Sequence, residues 1–399
     1  MFANSLKKGK IFQDIIFQTH AKAQARANEV GQDKVINGTV GTLISKGQIV
    51  TYQTVDQLVP KLDIKKISAY SPLEGNPDFL EAMEGICFSN FKPEKKIRSV
   101  AVPGGMGGIT QAITNYTEIG DTIITSDWYW DPYDSIVEGN YRKLTTFELF
   151  EDNKFNIESF KKTVKYVASK QDSVFLLINS PANNPTGYSI QKDEWAEIIT
   201  FLNSVDKKII LFLDVAYVEF AEPDDKSLFR QLDHLNSNIL TIVGYSISKS
   251  LAKYGMRAAT VTGIHEDENV LDEFFNVITI SNRSTFGSVP SIGQHLTLEL
   301  FKDKELFAEY RKEIAQWKKV MSDRAEAFLQ NIDHEIITPY KNGFFISIKT
   351  DQPEKDSQKL MDKNIFLVPL VKGIRVGICS IEAEDLVKVA QAINQILSR

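Results

Sequence analysis

The stretch GYSISKSLAKYGMRAA (244–259) follows an apolar run and carries Ser246, Ser248, Lys249 and Arg257. Hydroxyls and a guanidinium suit a phosphate, and a lysine amine is the usual nucleophile toward a carbonyl. Read alone, Lys249 could equally be a solvated surface residue. Asp214 ends the run IILFLD, and Tyr217 follows three residues later. A carboxylate at the mouth of a buried strand is costly unless paired, and a protonated ring nitrogen would offset that cost. A helix N-cap or an internal salt bridge is the plainer alternative. AVPGGMGGIT sets Gly104, Gly105, Gly107 and Gly108 between an apolar run and a helical segment. Such a turn lets backbone amides approach an anion, although GGMGG has neither the Lys-Ser/Thr of a P-loop nor the GxGxxG spacing. In SDWYWDPY (126–133), Trp128, Tyr129 and Trp130 either seal a helix against a sheet or offer a face to a planar ring.

These clusters need elements to position them. Between about 97 and 262, six β-like runs alternate with helical segments: 97–102, 121–126, 173–179, 208–214, 241–245 and 258–263. Val, Ile, Leu and Phe crowd the runs without alternation, as expected where helices cover both faces of a sheet. The segments between them carry helical periodicity. The pattern predicts a doubly wound, mostly parallel α/β domain, in which ligands bind beyond the carboxyl ends of the strands. Before it come a helix near 12–29 and a glycine-punctuated stretch with Gly38, Gly41 and Gly47, read as extended chain and tight turns. Beyond 290 a long helical region to about 331 precedes runs at 343–349, 364–371 and 373–379 and a final helix from about 382, enough for a small α+β domain.

Bulk properties exclude several classes. A chain of 399 residues can bury a large core in two or more domains. With 46 basic against 52 acidic residues there is no electrostatic footprint for a nucleic-acid partner. Cys87 and Cys379 are too few and too separated for a disulfide framework or a zinc site, so no metal is expected. No run approaches 18 apolar residues, and the N-terminus does not read as a signal peptide. A soluble, cytoplasmic protein with no membrane association is expected.

Taken together, the clusters resemble the class I aminotransferases of the aspartate aminotransferase superfamily, fold type I pyridoxal phosphate enzymes. Ser-Ile-Ser-Lys at 246–249 with Arg257 eight residues on is similar to the family's cofactor-lysine signature, and Asn184-Pro185-Thr186-Gly187 to a second signature. Lys253 departs from the apolar residue preferred there, while Tyr254 fits one branch. The resemblance implies a seven-stranded, mostly parallel sheet in a large cofactor domain, with a smaller α+β domain built from both chain ends. Residues 1–50 would be an N-terminal arm and part of the small domain, 51–300 the large pyridoxal phosphate-binding domain, and 301–399 the C-terminal small domain.

The same resemblance implies that Lys249 anchors pyridoxal 5'-phosphate, Asp214 pairs with its ring nitrogen, Asn184 and Tyr217 contact its ring oxygen, and Trp130 stacks on its face. The amides of Gly105 and Met106, with Ser246, Ser248 and Arg257, would hold the phosphate. Where the family often has hydroxyl residues this chain has Gly104 and Met106, so backbone and Arg257 would carry more of the load. Tyr70 resembles the tyrosine that reaches the neighbouring subunit's phosphate, implying a homodimer with shared active sites. Arg375 resembles the arginine that binds the substrate α-carboxylate, with Gly41 and Asn184 completing that end. Arg283, ten residues before Gly293, resembles the arginine that takes a distal carboxylate, although Phe286-Gly287-Ser288-Val289-Pro290 stands where aspartate enzymes usually have Tyr-Ser-Asn-Pro-Pro. The expected activity is amino transfer from aspartate or an aromatic L-amino acid to a 2-oxo acid such as 2-oxoglutarate, within amino-acid metabolism. Another reaction on the same cofactor, such as β-elimination, or an aminotransferase of different side-chain specificity, is the alternative.

Overall fold

The computed structural model describes Phe2, Lys8 and residues 14–397; the start of the expected N-terminal arm, and the first residues of the helix placed near 12–29, lie outside them. That helix spans Ile15–Val30. The described residues form two compact units. One comprises Val50–Ser322 and Pro339–Phe344; the other comprises the described residues up to Ile49, Asp323–Thr338 and those from Phe345 on.

The large unit is built on a seven-stranded sheet. In chain order its strands are β1 (Lys96–Val102), β2 (Thr122–Ser126), β3 (Lys143–Phe147), β4 (Ser173–Asn179), β5 (Lys208–Asp214), β6 (Ile239–Ser246) and β7 (Ala259–His265). Their spatial order is β1-β7-β6-β5-β4-β2-β3. β7 is antiparallel to both of its neighbours, and the other pairings are parallel. All six predicted apolar runs are strands. The one without an apolar run, β3, is an edge strand of sequence KLTTF that reaches full burial only at Phe147. Exposed Lys143 and Thr146 interrupt its apolar pattern, which hides it from a search for apolar runs.

The central strands are buried almost throughout. Helices Gly104–Tyr116 and Glu268–Thr285 pack Ile109, Ile113, Phe274 and Ile278 onto Val100, Phe175, Phe212 and Val261 of the sheet. Register then decides which residues meet at the carboxyl edge: Asp214 lies opposite Asn179 on one side and Gly244 on the other.

The expected continuous helical region from 290 to about 331 is two helices, Ser291–Lys302 and Lys304–Leu329. Asp303 separates them because its carboxylate caps the new helix, accepting from the amide of Leu306 at 3.0 Å. Residues up to Ser322 belong to the large unit, where Tyr310, Arg311 and Lys318 make side-chain bonds.

In the smaller unit β8 (Phe345–Lys349), β9 (Val368–Leu370) and β10 (Gly373–Gly377) form an antiparallel sheet in the order β8-β10-β9. The apolar run 364–371 is split at Leu367: Ile365–Phe366 pairs in parallel with Ile36–Asn37, and β9 pairs with β10. The Gly38 stretch is tied to the end of β10, where the Gly377 amide donates to the Gly38 carbonyl at 3.1 Å. A Cβ on Gly377 would stand 2.5 Å from that carbonyl oxygen, so the two backbones approach as only glycine allows. Gly377→Ala is expected to cost about 1–3 kcal/mol through this overlap. Urea unfolding would show a lower midpoint with unchanged slope, and an unchanged midpoint would mean that the chain relaxes freely here.

Candidate active site

Asp214 ends β5 at the carboxyl edge of the sheet. Its side chain is partly open at the strand mouth but ringed by protein, and this desolvation raises its pKa above the ordinary carboxylate value. Three groups oppose the shift. The Tyr133 hydroxyl donates to Oδ2 at 2.7 Å, the Ala216 amide donates to Oδ1 at 3.1 Å, and the Lys249 charge attracts the carboxylate. They do not cancel it. The carboxylate is therefore placed to gain from a further cationic donor.

Tyr133 is itself fully buried in the helix Pro132–Gly139, with Trp130 edge-on to its ring at 5.6 Å. Asn179, which ends β4 as Asp214 ends β5, joins two of the predicted positions. Its Nδ2 donates to the Asp214 carbonyl at 2.8 Å, and its Oδ1 accepts from the Asn184 amide at 2.6 Å. Asn184 is buried in a loop with cis peptides before Pro181 and Pro185. Asn183 pins that loop by accepting from the amide and hydroxyl of Thr186.

Lys249 sits in the short helix Ile247–Ser250 that follows β6. Its Nζ lies 4.6 Å from the centroid of the Tyr254 ring, 5.5 Å from Tyr217 and 5.7 Å from Phe344. Tyr217 is buried, and its ring is 5.2 Å from that of Phe344. Three aromatic faces therefore surround the amine.

A second polar group gathers at the glycine turn. Arg257, with a left-handed φ of 51°, donates through Nη1 to the Ser248 hydroxyl at 3.2 Å and to the Tyr254 carbonyl at 2.9 Å. Its guanidinium lies so close to Gly104 that a Cβ there would stand 2.7 Å from Cζ. Gly104 has a φ of +79° and opens the helix Gly104–Tyr116, while a Cβ on Gly105 would meet open space. First-turn amides of a helix lack intrahelical acceptors, so those of Gly105 and Met106, with the Ser248 hydroxyl and the Arg257 guanidinium, are groups of the kind that hold an anion. Ser246 is the last residue of β6 and Ser248 the second of the short helix.

Two predicted residues belong to the smaller unit. Arg375, on β10, is 2% exposed, donates to the Thr39 carbonyl at 2.6 Å and lies 4.5 Å from the Phe345 ring centroid. Gly41 follows Thr39 by two residues in the same glycine-rich segment. Tyr70 is 94% exposed, and Arg283 is exposed on the last turn of the helix Glu268–Thr285. Both stand outside the hydrogen-bonded group around Asp214 and Lys249.

Sequence reasoning missed Tyr133, Asn179 and Phe344. Asn179 carried a usable signal, because it is a polar residue closing an apolar run just as Asp214 is. Tyr133 sat inside a motif already singled out for stacking, and no spacing rule shows that its hydroxyl reaches a carboxylate 81 positions away.

A ligand with a protonated ring nitrogen, a carbonyl able to join an amine, and a phosphate fits this donor set: Asp214, Lys249, and the Gly104–Ser248–Arg257 cradle. Residues 34–393 match the family described as aminotransferase class I and II. A crystallised aminotransferase from Anaerococcus prevotii is 33% identical, with a TM-score of 0.96 covering all of both chains. Cytoplasmic aspartate aminotransferase of Gallus gallus is 22% identical across 95% of each chain. Aromatic-amino-acid aminotransferase of Escherichia coli is 21% identical over 75% of this chain and 77% of that one.

Tyr133→Phe removes a bond that favours the Asp214 carboxylate, so the Asp214 pKa should rise further. A carboxyl with a raised folded pKa contributes stability below its unfolded value, near pH 4, and loses it as pH climbs through the folded pKa. In cofactor-free protein the penalty of Tyr133→Phe should therefore be small in acid and grow to about 1.5–3 kcal/mol once Asp214 ionises. Urea midpoints of both proteins at about pH 4 and about pH 8 would test this. A pH-independent difference would mean that Tyr133 acts by packing alone.

Proposed function

The chain belongs to the class I and II aminotransferases, and on that premise we propose that it uses pyridoxal phosphate, held by Lys249, to move an amino group from aspartate or an aromatic L-amino acid to a 2-oxo acid such as 2-oxoglutarate. The observation that carries the reading is the placement of Asp214, Lys249 and the Arg257 cradle on one sheet edge, each beside the partners its role requires. When bound, pyridoxal phosphate supplies the carbonyl that links to an amine and a ring that takes up the electron pair released at the substrate's α-carbon.

The chain's own residues do the rest. Asp214, braced by Tyr133, keeps the ring nitrogen protonated. Asn184 and Tyr217 hold the ring oxygen, and Trp130 covers the ring face. Gly105, Met106, Ser246, Ser248 and Arg257 hold the phosphate. With its amine free, Lys249 would take the proton from the substrate's α-carbon and later return it. Arg375 binds the substrate α-carboxylate by a planar, two-pronged contact, and Gly41 and Asn184 also bind substrate.

The reading extends to a homodimer in which Tyr70 and Arg283 serve the partner's site. Their exposure in the single chain supports it, as do the exposed apolar residues Ile64, Ile280 and Phe286 of the same unit. Retention of an arginine at 283 favours a dicarboxylic partner, because a distal carboxylate needs a fixed cation.

The deciding experiment is spectroscopic. Purified protein should absorb as a lysine-linked cofactor and shift when an amino acid is added, and borohydride reduction should mark the Lys249 peptide. A Lys249→Ala protein that kept the same reducible linkage would sink the assignment. For specificity, Arg283→Ala should raise KM for 2-oxoglutarate by about 10-fold or more, the worth of one charge-assisted hydrogen bond. A monocarboxylic 2-oxo acid should be affected far less, and equal effects would place Arg283 outside the pocket.

A further inference from the structure

Behind Lys249 lies a second polar group that the reading above does not use. Glu219, two residues past Tyr217, is a buried carboxylate with two cations on it: Lys226 at 2.9 Å on Oε1 and Arg311 at 2.8 Å on Oε2. Tyr245, at the end of β6, donates its hydroxyl to the same Oε1 at 3.3 Å. Tyr310, the neighbour of Arg311, donates to the Ser250 carbonyl at 2.8 Å. The Ser250 hydroxyl in turn donates to the Ser246 carbonyl at 3.0 Å, closing the short helix that carries Lys249. Tyr52, its ring centroid 6.1 Å from that of Tyr310, donates its hydroxyl to the Lys249 carbonyl at 3.4 Å.

Buried ion clusters are a poor route to stability, because apolar residues of similar volume would fold as well or better. What this one joins is specific. It ties the turn bearing Tyr217 to the strand entering the Lys249 helix, and Tyr310, the residue before Arg311, grips the exit of that helix. We propose that Tyr245, Glu219, Arg311 and Tyr310 form a brace that fixes the Lys249 backbone relative to the Tyr217 ring, making Tyr245 and Tyr310 positioning residues for proton transfer by the Lys249 amine. The proposal rests on the aminotransferase reading for its kinetic consequence, but not for its structural one.

Tyr245→Phe and Tyr310→Phe each remove one hydroxyl and change no charge, so both proteins keep the ion cluster and the ring packing. In reconstituted enzyme each substitution should lower kcat by about 5- to 20-fold, as a displacement of the reacting amine by a fraction of an ångström implies. KM for the amino donor should stay within about twofold, because donor binding is left intact. The isotope effect on kcat with an α-deuterated donor should rise, since the proton-transfer step becomes slower relative to the others. The double variant should be little worse than the poorer single one, as for parts of one unit. Amide hydrogen exchange over residues 246–253 should accelerate in each variant, with or without cofactor, while exchange in β4 and β5 stays unchanged.

Unchanged exchange over 246–253, or unchanged kcat and isotope effect in a folded variant, would overturn the brace. So would kcat losses that simply multiply in the double variant. If the wild-type protein forms no Lys249-linked cofactor, the functional reading fails instead, and the exchange comparison still decides whether the two hydroxyls hold the segment.

Discussion

The Asp214 carboxylate is the constraint on which the rest of the site depends. Taking a carboxylate out of water costs several kcal/mol even after relaxation, whereas a hydrogen bond to a charged group returns about 1.5–3 kcal/mol. Two such bonds, from Tyr133 and Ala216, leave a deficit that the raised pKa records. A sheet whose purpose was stability alone would end β5 on a neutral residue. Ending it on Asp214 makes sense when a cationic partner arrives at the strand mouth. The elements around it are arranged to keep the carboxylate aimed there meanwhile. Tyr133 comes from the helix after β2, Asn179 from the end of β4, and the amide of Ala216 from the turn that follows.

The glycine cradle answers the opposite charge. Arg257 is packed on Gly104 so tightly that no side chain fits between them, and it also holds the hydroxyl of Ser248. The sheet order makes this possible. β1 and β7 are adjacent and antiparallel, with Val102 paired to Ala259, so the end of β1 and the start of β7 lie together. The turn that follows one and the arginine that precedes the other are thus brought to one place. One antiparallel strand in an otherwise parallel sheet is what joins the Gly104 turn to the Lys249 segment.

The parts of this arrangement legible in the sequence are those that break a strong local pattern. Asp214 stood out because it closes an apolar strand, and Lys249, Ser246, Ser248 and Arg257 because they crowd one segment after such a strand. The central strands were legible because burial on both faces demands unbroken apolar runs. β3 was not, since exposed Lys143 and Thr146 interrupt it, and the break at Asp303 was hidden because a capping aspartate looks like any other charge on a helix face. Tyr133 illustrates the deeper limit. A side chain's role as a donor is set by where the fold sends it, and a single sequence carries no trace of a contact between positions 133 and 214. The seven-strand count and the roles of Arg375, Tyr70 and Arg283 came from resemblance rather than from pattern.

In the proposed reaction Lys249 faces two opposed demands. Its amine must move between partners, which needs the rotational freedom of a long unbranched side chain. Its backbone must not move, because an error of about 1 Å at the reacting atoms costs on the order of 100-fold in rate. A four-residue helix makes little of its own hydrogen bonding and cannot supply that rigidity. The structure separates the two demands. Aromatic faces of Tyr217, Tyr254 and Phe344 surround the amine and limit where it can swing, while hydroxyls from behind hold the carbonyls of the segment. In the proposed brace, rigidity comes from hydroxyls on the backbone side of the segment, and mobility is left to the few bonds between the Lys249 backbone and its nitrogen.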